Sequence, residues 1–193
     1  LALLEKLSRE SPSLPEPGNA SFLQQTTLDA LVTEKRVQDL LGRYQTDSAY
    51  PTSSLAQSLK NVAALIGSGM STRVYFVSLT GFDTHSNQHT QHAQLLKTLG
   101  DALMAFQKDL QSKKLDQQVL TMTFSEFGRR PNENQSRGTD HGTAAPLFVM
   151  GSNLKGTLFG TAPSLELEKN QDLTFSTDFR QVYSTLLDRW LEC

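Results

Sequence analysis

The sequence predicts an α/β fold with a mostly parallel sheet, and three observations carry that expectation. A short apolar run, Val74-Tyr75-Phe76-Val77-Ser78-Leu79, precedes a long amphipathic stretch and a second run, Val119-Leu120-Thr121-Met122-Thr123-Phe124. Runs of this length suit strands buried on both faces. Strand, helix, strand is a βαβ unit, whose crossover is right-handed and whose strands are parallel. A third run, Leu147-Phe148-Val149-Met150, ends at Gly151, and an amphipathic helix closes the chain.

Taken in order, Leu1 to Leu7 reads as a short helix entered partway. Ser11 to Gly18, with Pro12, Pro15 and Pro17, reads as a linker, so residues 1–20 form a helix plus a Pro-rich break. The opening lacks an initiator Met and a signal peptide, as expected of a fragment or processed chain. Leu28, Leu31, Val32, Val37, Leu40 and Leu41 predict a helix ending near Gly42. Tyr44 to Ser54, with Pro51, is a loop, and Leu55, Leu59, Val62, Ala63 and Ile66 predict a helix stopped by Gly67. After Gly81, the stripe Leu95, Leu99, Ala102, Leu103, Phe106 and Leu110 predicts a long helix ending at Lys113-Lys114, where cations suit the dipole. The last helix starts at Thr177 or Asp178, with Phe179, Val182, Tyr183, Leu186, Leu187 and Trp190 expected inward. The 193 residues suffice for one domain with a core.

Composition excludes several functions. Lys plus Arg number 18 against 20 Asp plus Glu, a formal charge of −2, so no basic field favours nucleic acid. No apolar run has membrane-spanning length. Cys193 is the single cysteine, so an internal disulfide is impossible.

Ligands of open parallel sheets bind at the carboxyl ends of strands. All four histidines, His85, His89, His92 and His141, fall in segments that follow the predicted strands. Asp83, His85, Asp140 and His141 form a mixed carboxylate and imidazole set, suited to a divalent ion, zinc first and calcium or magnesium after it. Such an ion polarises a phosphoryl or sulfuryl oxygen, or acidifies water. Glu126 directly follows the second strand and is expected as ligand or general base. Arg129, with Arg137, is expected to hold the oxygens of an anionic substrate in a bidentate fork. On a helix, His85, His89 and His92 would share a face. A metal-free esterase using Ser125 or Ser136 with His141 and Asp83 lacks the G-x-S-x-G elbow.

These motifs, Val74 to His85, Ser125-Glu126-Phe127-Gly128-Arg129, Gly138-Thr139-Asp140-His141-Gly142 and Asp178-Phe179-Arg180, resemble an uncharacterised exported bacterial family, domain of unknown function fifteen-oh-one. That family looks like a distant branch of the alkaline phosphatase and sulfatase superfamily, and the resemblance covers residues 55–191. It implies the C-terminal part of a three-layer α/β/α sandwich, a periplasmic or extracellular location, and metal-dependent hydrolysis of small phosphate or sulfate esters. His141, ahead of Pro146-Leu147-Phe148-Val149, matches the superfamily's final metal histidine, and Asp83 matches the Asp of its D-x-x-x-H loop. Where that loop has His, this chain has Asn87, and Ser125-Glu126 replaces the Asp-His of a later strand end. The superfamily's nucleophile lies upstream, so this chain alone is expected to be nearly inactive. The competing expectation is a non-catalytic binding protein that retains the polar pocket.

Overall fold

The computed structural model describes residues 18–156, 158–168 and 171–193. The helix expected at Leu1 to Leu7 and the prolines of the linker lie outside the described residues. The chain divides into two compact units. One takes the described residues to Thr46 plus Ala64–Met70, and the other takes Asp47–Ala63 plus Ser71–Cys193.

The first unit is built on helix α1 (Asn19–Arg43). Its start is capped by Ser21, whose Oγ accepts from the Gly18 N–H at 3.1 Å. Leu31 is buried, whereas Phe22, Leu23 and Val32 are exposed. Helix α2 (Ser54–Gly67) begins in the second unit and ends in the first. Ser53 Oγ accepts from the Ala56 N–H at 3.3 Å, a serine cap at the α2 start.

In the second unit, Leu55, Ala56, Leu59 and Ala63 of α2 are buried. Helix α3 (Gln88–Ser112) buries Ala102, Ala105, Phe106, Asp109 and Leu110, one stripe at helical spacing. Full burial of Phe106 and Leu110 contributes about 1.5–3 kcal/mol each. Asp109 is fully buried as well, and its carboxylate accepts from the Tyr50 hydroxyl at 2.9 Å. That bond ties the loop ahead of α2 to α3.

The mostly parallel α/β/α sandwich is not what forms. Among the described residues, β-structure is limited to two antiparallel ladders of two residues per strand. Strand β1 (Thr121–Met122) pairs with β4 (Val149–Met150), Thr121 opposite Met150. Strand β2 (Gly128–Arg129) pairs with β3 (His141–Gly142), Arg129 opposite His141. The second and third expected strands thus pair directly, but in opposite directions. Parallel pairing needs a crossover, usually a helix, and the segment between β1 and β4 contains none.

The first expected strand does not pair. Among the described residues, no main-chain hydrogen bond joins Ser71–Thr80 to another element. Val74 is 67% exposed and Phe76 74%, while Tyr75 and Val77 are half-buried. The run alternates rather than burying both faces. The closing helix, α4 (Phe179–Leu186), starts where expected, with Asp178 accepting from the Arg180 N–H at 2.9 Å. It continues as a π-helical turn, Leu187–Leu191. Its apolar residues are only partly inward: Val182, Tyr183, Leu186 and Trp190 are half-buried, whereas Phe179 is 59% exposed and Leu187 47%.

Candidate metal centre

Three segments of the second unit meet at one point: Phe82 to His85 ahead of α3, the β2 strand, and the loop Asn134 to His141. The two-residue ladder β2–β3 delivers Arg129 and His141 side by side. Asn134 fastens the loop beside it. Its Oδ1 accepts from the Ser136 and Gly138 N–H groups at 2.9 and 3.0 Å. Its Nδ2 donates to the His85 carbonyl at 3.1 Å and to Asp140 Oδ1 at 3.2 Å. Asparagine closing its own turn in this way is ordinary loop chemistry. Here the turn also fixes the His85 backbone. Gly138 makes the contact close: a Cβ there would lie 2.6 Å from the Ser86 nitrogen and closer still to the His85 carbonyl.

The result brings together Asp83, His85 and His141, the triad in which each residue offers one ligating atom. His141 Nε2 lies 2.6 Å from Asp83 Oδ1. His85 Nε2 lies 3.0 Å from the same oxygen and 3.3 Å from His141 Nε2. Zinc bound tetrahedrally at about 2.0–2.1 Å requires donor atoms about 3.3 Å apart. The triangle therefore fits such an ion after Asp83 moves away from His85 by about 0.3 Å and from His141 by about 0.7 Å. Two imidazoles and one carboxylate suit zinc better than calcium or magnesium, which take oxygen ligands. All three residues are about half exposed, with side-chain exposures of 48%, 58% and 48% for His85, Asp83 and His141.

The surroundings hold the ligands. Phe127 stacks on His141 with centroids 4.1 Å apart and planes 5° from parallel. The Arg129 guanidinium lies 5.1 Å from the centroid of the Phe127 ring. Arg129 donates from Nη1 to the Thr139 carbonyl at 2.7 Å and from Nη2 to the Phe82 carbonyl at 2.5 Å. Nη2 is also 3.4 Å from Asp83 Oδ1. Thr84, buried beneath the triad, accepts from Gln88 Nε2 at 2.8 Å. The hydrogen bond from His141, helped by the charges of His85, His141 and Arg129, holds the Asp83 carboxyl below the usual range, against partial desolvation.

Several expected site residues stand elsewhere. Asp140 is outside the triad, its Oδ1 3.6 Å from His85 Nδ1, too long for a hydrogen bond. Glu126 is exposed and, among the described residues, has no hydrogen bond or ion pair. Arg129 is committed to two carbonyls, so it braces the loops where an anion clamp was expected. Ser125 spends its hydroxyl on the Phe127 carbonyl at 2.9 Å. His85 precedes α3, so it shares no helical face with His89 and His92. Sequence reasoning missed Asn134 and Phe127. Phe127, beside Gly128, had a local signal, whereas nothing local to Asn134 announces its bond to the His85 carbonyl.

Among the described residues, no helix is long and apolar enough to cross a membrane. Comparison with curated proteins and with solved structures gives no match. Residues 10–190 match the model of a family described as Protein of unknown function (DUF1501), and the chain belongs to that family.

Proposed function

We propose that Asp83, His85 and His141 bind one divalent ion, zinc, in a site that hydrolyses small phosphate or sulfate esters. The observation that carries this is the triangle itself: three ligating atoms, two from the segment ahead of α3 and one from β3, lie 2.6, 3.0 and 3.3 Å apart in half-exposed side chains. Such an ion supplies Lewis acidity and lowers the pKa of water. The chain's own part is to hold the ligands: Asn134 fixes the His85 main chain, Phe127 stacks on the His141 ring, and Arg129 lies 3.4 Å from the Asp83 carboxylate. The ester class rests on the resemblance of the Asp83, Arg129 and His141 motifs to the alkaline phosphatase and sulfatase superfamily. An exported location is proposed on the same ground.

Binding without turnover is the second reading. It is favoured by the commitment of Arg129 and by the absence of any described contact that would bring Glu126 to the triad.

The test is turnover of 4-nitrophenyl phosphate and 4-nitrophenyl sulfate by zinc-loaded and chelator-treated protein. Zinc-dependent hydrolysis of either ester, lost in His141→Ala, supports the hydrolase. Zinc binding with no turnover of either ester leaves the binding reading. Turnover that survives both chelation and His141→Ala would overturn the assignment of the site.

A further inference from the structure

A cavity of about 450 Å³ opens on the loops that carry the triad, and the metal reading gives it no role. His89 and His92, one turn apart on the first turns of α3, line it, and so do Arg137 and Thr139 of the loop that leads into β3. Leu96 and Pro131 add apolar surface. The cavity and the triad share their framework. The Gln88 N–H donates to the Arg137 carbonyl at 2.8 Å, and the Gln88 side chain donates to Thr84.

Two features, both at Arg137, point to a ligand with a negative group. Among the described residues, the Arg137 guanidinium has no ion pair or hydrogen bond, although Glu133 lines the same cavity. The Arg137 backbone is held at φ 59°, the left-handed region, with its own N–H bonded to the Asn134 carbonyl at 3.1 Å. A bulky residue adopts that conformation only where its surroundings impose it. Thr139 also lines the pocket, but its hydroxyl oxygen is itself buried away from it, without a hydrogen-bond partner among the described residues. Pockets that combine an apolar wall with a few convergent donors are the usual seats of small organic molecules.

We infer that this cavity binds a small organic anion, its charge against Arg137 and its carbon skeleton against Leu96 and Pro131. Joined to the proposed ester site, on which this extension rests, the cavity would seat the organic part of the substrate and select esters with a second anionic group. The cavity itself can be tested without any metal.

The probe is benzoate, titrated into chelator-treated protein and followed by amide chemical shifts, with benzyl alcohol as the uncharged comparator. Benzoate is expected to give saturable shifts centred on His89, His92 and Arg137. Arg137→Gln is expected to weaken it about tenfold, a loss typical of one charge-assisted contact, while His141→Ala leaves it unchanged. Because the measurement is metal-free, failure of the metal reading does not affect it. Equal binding of benzoate and benzyl alcohol, shifts centred on Asp83 and His141, or full retention in Arg137→Gln would each overturn the inference.

Discussion

The loops from Phe82 to Thr143 and the chain from Gly151 to Cys193 differ in an unexpected direction. The first region is polar and glycine-bearing, yet it is fastened at many points, with Thr84, Gly128 and Gly138 buried. The second carries Leu158, Phe159, Leu165 and Phe175, all more than 60% exposed, and none of its described residues is buried. Apolar content therefore does not decide which region is ordered around a function. Side-chain bonds to main-chain groups do: Asn134 and Arg129 between them reach the carbonyls of His85, Phe82 and Thr139. Each such bond contributes only about 0.5–1.5 kcal/mol, and it is their convergence that holds three ligands in register.

If this contrast is right, substitutions in the polar loops should cost far more than substitutions in the apolar arm. Gly138→Ala should do most damage, since its Cβ would enter the His85 main chain. The expected loss is about 1–3 kcal/mol of stability, typical of overpacking, together with zinc binding. Denaturant unfolding and metal titration read the two effects separately. Asn134→Ala removes four hydrogen bonds without adding bulk, so stability should change less. Zinc affinity should still fall about 10–100-fold, as it does when residues that orient ligands are lost.

In the apolar arm, Leu158→Ser with Phe159→Ser should change stability by less than about 0.5 kcal/mol and leave zinc affinity intact. A thermal melt of the double variant that drops by several degrees would show that the arm is packed after all. The smallest effect concerns Asp178, which caps α4 and is pushed down to about 2 by its bonds to the Arg180 side chain and N–H. A lowered carboxyl stabilises the fold above its unfolded value of 3.8 and loses that contribution as pH falls from there towards 2. Arg180→Ala should raise the Asp178 midpoint towards 3.8 in an NMR titration, with no change at Asp83.

The sequence was most legible where periodicity alone decides. The stripe Ala102, Phe106 and Leu110 marked α3, and Asp178 marked the start of α4. The sheet was misread because Val74 to Leu79 is apolar at nearly every position, which suits burial on both faces. In the structure the run has no partner strand among the described residues and exposes Val74 and Phe76. Direction was misread for another reason: periodicity does not show whether the chain between two strands returns through a helix. That Asp83, His85 and His141 come together was legible, because all three stand in the segments flanking the expected strands. Asn134 was not, since its role depends on a carbonyl that lies 49 positions away in sequence.

The central claim is that these three residues are one metal site, and the most direct test is zinc stoichiometry and affinity by calorimetry. The parent protein, Asp83→Ala, His85→Ala and His141→Ala would be compared, each confirmed as folded by circular dichroism. The account predicts one zinc per chain in the parent, with release of protons, and loss of at least tenfold in affinity in each of the three variants. Unchanged zinc binding in any folded variant of the three would contradict it.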